Sequence, residues 1–309
     1  MDKEKKIATR ESFGEALKQL GAENKNVVVL DADLSGATKT NMFAKAYPDR
    51  FFDMGIAESN MISVASGMAT TGKIPFAASF AVFSTGRVYD QLRASVSYPN
   101  QNIKVVGTHY GLTVGEDGAT HQMLEDLSLI RGLPNFTIFS PSDDISSKWA
   151  VKEAAKIDGP VYLRFCRLAT PVIYDENQKF ELGKGICFGD GTDATVFATG
   201  DMVCKALEAK EILEKENIHI RVVDFHTIKP IDKELILKCA KETDKLISIE
   251  DHSVYGGLGD CIADVLISEF PKKLIKMGVK EQFGRSGKAE DVLKYYGLTV
   301  EKIVENIKN

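Results

Sequence analysis

Residues 54–70 read "MGIAESNMISVASGMAT", small or apolar almost throughout, with Glu58 as the only charge. Further on, Phe80 and Phe83 close the run "IPFAASFAVF", His109 closes "NIKVVGTH", and the loop "YGLTVGEDGATHQ" carries Asp117 and His121. Carboxylates and imidazoles share and move protons, and aromatic rings at a strand end offer a flat face for stacking. Each residue also has a structural alternative. Glu58 can be an exposed acid favoured by the dipole at a helix N-terminus. The two phenylalanines can be core, His109 can satisfy a backbone carbonyl, and Asp117 with Gly118 can be an ordinary turn. All of these features nevertheless fall between residues 50 and 125. They can therefore meet at one edge of a sheet, and in open parallel sheets ligands gather at the carboxyl ends of strands.

The elements that must position these groups alternate as in a parallel α/β domain. Residues 10–20 have helical spacing and "NVVVLDADL" is a β-branched run ending in acids. A short "FFDM" leads to a helix from about Glu58, then "IPFAASFAVF" reads as a buried strand, "GRVYDQLRASVSY" as an amphipathic helix and "NIKVVGTH" as the next strand. After the glycine-rich loop come "FTIFSPSD", a helix around Trp149 and the strand "PVYLRFCR". Near-continuous apolar strands separated by helices imply a mostly parallel sheet covered by helices on both faces.

Near "LATPVIYDENQKFELGKGICFGDGTD" the helical period is lost, and the βα pattern restarts at "ATVFATG". The expected organisation is a first domain over 1–175, a linker over 176–192 and a second, smaller α/β domain over 193–309. In the second domain "KPID" predicts a proline-set turn, with Asp232 as N-cap of the next helix. His226 and Lys229 are read as structural, and His252 and Tyr255 as structural with a regulatory or interface role as the alternative. The last segment predicts two short helices joined at Gly297, with Thr299 as an N-cap. Two glycine motifs carry little chemistry. "GDG" at 189–191 precedes a strand instead of following one and reads as an exposed turn, although Asn217 stands at the spacing used by diphosphate sites. "GGLG" at 256–259 lacks the full GxGxxG pattern and reads as close packing of a turn on the sheet.

At 309 residues, 44% hydrophobic and 27% charged, the chain has the make-up of a soluble globular protein of two domains. A net charge of -5 gives no bulk attraction to nucleic acid or to an anionic membrane, so neither is expected as a partner. No apolar run approaches the roughly 18 residues of a membrane span, and the start lacks a signal-peptide core, so a cytoplasmic location is expected. The cysteines Cys166, Cys187, Cys204, Cys239 and Cys261 form no CxxC and are expected as buried small hydrophobes.

"MGIAESNMISVASGMATTGKIPFAASFAVF", "VVGTHYGLTVGEDGATHQMLEDLSLIRGLPN" and "FSPSD" resemble the pyrimidine-binding domain of transketolases, and "ATGDMVCKALEAKEIL" with "VVDFHTIKPID" resembles the transketolase C-terminal domain. The likeness runs from about Ala8 to the end. It implies a pyrimidine-binding thiamine diphosphate domain followed by the smaller C-terminal domain. Transketolases normally also have a preceding domain that binds the cofactor diphosphate and magnesium. Nothing in this chain resembles it, which implies the C-terminal subunit of a split enzyme. The diphosphate-binding partner subunit would then supply the Mg2+ ligands, with no metal ligand on this chain, and two copies of each subunit would assemble. The implied reaction transfers a two-carbon ketol unit from a ketose phosphate to an aldose phosphate.

The resemblance also implies roles. Glu58 would hydrogen-bond the aminopyrimidine of thiamine diphosphate, with Ala57, Met61 and Ala65 making its charged form unfavourable. Phe80 and Phe83 would seat the ring. The family often has a tyrosine where this chain has Gly86, and Tyr89 is a partial substitute. His109, Asp117 and His121 would contact the donor sugar, His121 the cofactor as well. Arg167 and Arg10 would bind phosphate. A serine of that pocket has no clean counterpart, with Ser35 and Thr38 the nearest, and Asp33 reads as structural or interfacial. Related architectures stay open. These are 1-deoxyxylulose-5-phosphate synthase, whose relatives lack a histidine placed like His109, the beta subunit of 2-oxo acid dehydrogenases, which lacks "GEDGATHQ", and a non-catalytic regulatory subunit of the same fold.

Overall fold

Val27 and Val29 pack into one buried cluster and Val28 and Leu30 into another, and the same split separates Phe76 and Ala78 from Ala77, and Val106 from Val105. This is the two-residue period of strands buried on both faces. The computed structural model describes Asp2–Asn309. Its first strands are β1 (Asp2–Ala8), β2 (Val27–Asp31), β3 (Phe51–Asp53), β4 (Ile74–Phe80), β5 (Lys104–Thr108), β6 (Thr137–Phe139), β7 (Val161–Phe165) and β8 (Ala169–Val172). Those that follow are β9 (Ile186–Phe188), β10 (Ala194–Ala198), β11 (Ile220–Asp224), β12 (Thr227–Lys229), β13 (Lys245–Ser253) and β14 (Leu274–Val279).

A seven-stranded sheet runs β12-β6-β7-β5-β4-β2-β3, parallel except for the β12–β6 pair. The helices Thr9–Glu23 and Asp144–Ala154 cover one face through Phe13, Leu17, Ala150 and Val151. Met61, Ile62 and Ala65 of the helix Glu58–Ala69 cover the other, together with Val88, Leu92 and Val96. The second sheet runs β14-β13-β10-β11-β9, with only the β11–β9 pair antiparallel. The chain is therefore mixed α/β with parallel sheets flanked by helices, as its patterning predicts. The second half also reaches into the first sheet, because β12 pairs with β6 as an edge strand. The segment 176–192 contributes β9. Among the described residues no helix is long and apolar enough to cross a membrane.

Several local expectations hold. Thr299 caps the final helix by accepting from Lys302 N, and Asp232 caps Lys233–Glu242 by accepting from Leu235 N. Gly189 and Asp190 are exposed in the connection between β9 and β10. At the GGLG turn the free backbone N–H groups already have an acceptor, since Glu250 accepts from Leu258 N at 2.6 Å and Gly259 N at 2.8 Å. Two differences have clear causes. The antiparallel ribbon β1–β8 escapes periodicity because "DKEKKIA" is almost all charged and "ATPV" contains proline. Cys187 is exposed, unlike the other four cysteines, because β9 is a partly exposed edge strand.

The register brings Phe80, Thr108 and Phe165 side by side at the ends of β4, β5 and β7. Segments leaving these three parallel strands emerge at one edge.

Candidate active site

Glu58 is the first residue of its helix, where a negative charge meets the favourable end of the helix dipole. Its side chain is not the exposed acid of the structural alternative: it is only 3% exposed, close to the fully buried Met61 and Ala65 of the same helix. Arg87 donates to its Oε1 at 2.8 Å, and the same guanidinium lies 4.3 Å from the Phe83 ring centroid. A flat, hydrogen-bond-donating cation thus lies near an aromatic ring while bonded to a buried carboxylate. An aminopyrimidine has the same attributes of planarity, N–H donors and a stacking face, so these residues fit that group.

Phe80 and Phe83 are near parallel, with centroids 6.1 Å apart. His109 stacks on Phe80 at 3.9 Å, and His121 meets Phe83 edge-on at 5.5 Å and Phe80 at 6.3 Å. The sequence pattern of strand-end aromatics and histidines thus becomes one cluster. His109 lies just beyond β5 with φ 58, an uncommon left-handed conformation for a residue with a side chain. Its Nε2 is 2.9 Å from Arg10 Nη1, and its Nδ1 is 2.9 Å from Thr108 Oγ1. Arginine can only donate, so Nε2 is the acceptor and the neutral ring carries its proton on Nδ1. Burial, with Arg10, Arg167, Lys39 and His121 nearby, pushes its pKa down to about 3.

Arg10, at the start of the first helix, also donates to Ala37 O at 3.0 Å, while its Nε is buried without a partner. Burial and then the charge of Arg167 lower the Arg10 pKa. Arg167 donates to Val114 O at 2.6 Å and pairs with Asp117 at 3.2 Å. The two arginines therefore share one cationic edge, which is chemistry suited to an anionic end group. Thr38 is committed elsewhere, its hydroxyl donating to Asp31 at 2.7 Å, and Ser35 stays partly exposed. Asp33 is exposed at φ 62. Tyr89 lines a separate cavity of about 630 Å³ with Arg93, Tyr98 and Pro134. A side chain added at Gly86 would touch Met123 Cε at 3.8 Å.

Arg87, Lys39 and Thr108 are the neighbours that sequence reasoning misses. Arg87 is 29 positions from Glu58, so no local spacing announces the pair. Lys39, at φ 72, follows a single helical turn with no periodic signal.

Two family models cover the chain: the transketolase pyrimidine binding domain matches residues 5–172 and the transketolase C-terminal domain residues 183–303. A protein of Methanocaldococcus jannaschii, provisionally named a transketolase C-terminal section, is 49% identical over 96% of this chain and 94% of its own length. A 6-deoxy-6-sulfo-D-fructose transketolase subunit from a Clostridium strain is 39% identical over 96% of this chain and 92% of its own length. A split-gene transketolase solved as an inactive beta4 tetramer superposes with a TM-score of 0.91 at 48% identity, covering 98% of this chain and 97% of that one. Against human transketolase, at 38% identity, the chain spans 49% of the relative's length. Matched along almost its whole length, the chain belongs to the transketolase family of transferases.

Proposed function

We propose that the chain is the C-terminal subunit of a split, thiamine diphosphate-dependent transketolase that moves a two-carbon ketol unit from a ketose phosphate to an aldose phosphate. One observation carries the reading. The buried Glu58 carboxylate is bonded to a planar guanidinium that lies against Phe83, the chemical setting an aminopyrimidine requires. Bound there, the cofactor would supply the carbon nucleophile and electron sink for breaking and making the carbon–carbon bond. Glu58 is the group that shares a proton with the pyrimidine ring nitrogen. Phe80 and Phe83 seat the ring, where stacking contributes about 0.5–1.5 kcal/mol beyond buried area. His121, at the edge of Phe83, sits between cofactor and donor sugar. Asp117 accepts from a donor hydroxyl. His109 has no free N–H in the arrangement described, so a sugar hydroxyl that bonds Nε2 must take the place of Arg10.

Arg10 and Arg167 hold the anionic end of the sugar. Phosphate is the proposed group; the Clostridium relative is named for 6-deoxy-6-sulfo-D-fructose, which carries a sulfonate at that end. A partner subunit with the diphosphate-binding domain would supply the Mg2+ ligands, two copies of each subunit would form the enzyme, and the cytoplasm is the proposed location. The test mixes the purified chain with a GDG-bearing subunit, thiamine diphosphate and Mg2+. Transfer should require both chains, and turnover by the single chain would sink the split assignment. Glu58→Gln should abolish transfer and leave assembly intact; unchanged turnover removes Glu58 from its role.

A further inference from the structure

The segment 111–124, which carries Asp117 and His121, leaves the first sheet after β5 but is held largely by the second half of the chain. Asp251 in β13 is fully buried and accepts from Leu112 N at 2.9 Å on each carboxylate oxygen and from Thr113 N at 3.3 Å. Ser253 N donates to Leu124 O at 2.7 Å at the far end of the loop. Gln122 Nε2 donates to Leu112 O and to Arg285 O, each at 3.1 Å, so it closes the loop and ties it down at once. The backbones approach closely. A Cβ at Gly111 would fall 2.1 Å from Asp251 Oδ2, and one at Gly118 would fall 2.3 Å from Ser286 Oγ. Asp251 is itself fixed, because its carbonyl accepts from Arg164 Nη2 at 2.8 Å while Arg164 forks onto Asp126 at 2.7 and 3.2 Å. From the first half, Arg167 holds Val114 and Asp117.

We propose that Asp251 is a positioning residue for the donor sugar, and that the second α/β half serves as the frame that sets Asp117 and His121 in place. Asp251 acts through the backbone of Leu112 and Thr113. The inference rests on the proposed function in one respect, that the loop contacts the donor. It gives the second half a task in the reaction beyond stability.

Asp251→Asn tests it, since the variant keeps the volume but sets an NH2 group against the Leu112 N–H. Hydrogen–deuterium exchange of the full chain should speed up over 111–124 by about tenfold, the scale of losing one buried hydrogen bond. Leu266→Ala is the control, a cavity in a second-half helix whose buried cluster does not include the loop residues Leu112 and Leu124. It should destabilise that half without singling out 111–124. Unchanged loop exchange in Asp251→Asn, or the same selective rise in Leu266→Ala, overturns the proposal. In the reconstituted pair, Asp251→Asn should raise KM for fructose 6-phosphate as donor by about tenfold and leave KM for ribose 5-phosphate as acceptor unchanged. Equal rises for both sugars count against positioning. If the wild-type pair turns over neither sugar, the transketolase reading fails by itself, and exchange on the single chain still decides the role of Asp251.

Discussion

Arg10 sets the state of His109 twice over, by donating to Nε2 and by placing a positive charge beside the ring. Removing it with Arg10→Ala should raise the His109 pKa from about 3, while burial, the larger cause, keeps it below its ordinary 6.5. An NMR titration of the imidazole reads this directly, and an unmoved His109 would remove Arg10 as the source. At a second residue, the Cys187 thiol is pushed down to about 7 by a hydrogen bond with Cys239, with Arg221 and Lys238 adding positive charge. Burial pushes Cys166, Cys204 and Cys261 up to about 12. Iodoacetamide at pH 7.5 should therefore label Cys187 well ahead of the other four, as followed by peptide mass spectrometry. Equal labelling would mean that the thiol is not so placed. These residue properties show where sequence reading stops. Glu58, Phe80, Phe83, His109 and His121 stand out by type and by position at element ends. The exposure of Cys187 and the partners Arg87 and Arg10 depend on segments distant in the chain.

At the level of elements, the central strands of the first sheet are legible because burial on both faces makes each a near-continuous apolar run. β12 is not legible, being three residues from the second half that complete the edge of a sheet built by the first. The loop after β5 is announced by its glycines, and its anchors are not. Gly118 has φ 73 and ψ -163, a region essentially restricted to glycine, and its Cα faces Ser286. Gly118→Ala should cost about 1–3 kcal/mol from backbone strain alone, read by urea unfolding. Combining it with Ser286→Gly should recover only part of the loss, because the double variant removes the contact and keeps the strained φ. Full recovery would show that contact, not conformation, dominates.

Over the whole molecule, the two halves meet through buried polar groups as well as apolar ones. Asp224, at the end of β11, accepts from Ser142 at 2.6 Å and from Tyr174 at 2.7 Å, both contributed by the first half. Burial pushes its pKa up to about 7, and does the same for Glu250, to about 7, and Asp251, to about 8. His109, buried and beside Arg10, is held down at about 3, and burial holds His226 and His252 at about 4. The two sets act in opposite directions. A carboxyl with a raised folded pKa adds stability that is fully present below its unfolded value, near 4 for an aspartate, and is lost as pH rises through the folded value. A histidine with a depressed folded pKa adds stability that is present above about 6.5 and lost as pH falls. Above about 6.5 the histidines are neutral in both states and contribute no slope. The three carboxyls then lower stability as pH rises, while Lys104, held down by burial, and Cys187, both at about 7, raise it. Asp224→Asn carries a neutral side chain at every pH and so isolates one carboxyl. In calorimetry its melting temperature should fall less, or rise more, than that of the wild type between pH 6.5 and pH 8.5. An unchanged pH response in Asp224→Asn would mean that the carboxyl at the junction of the halves is ionised in the native state.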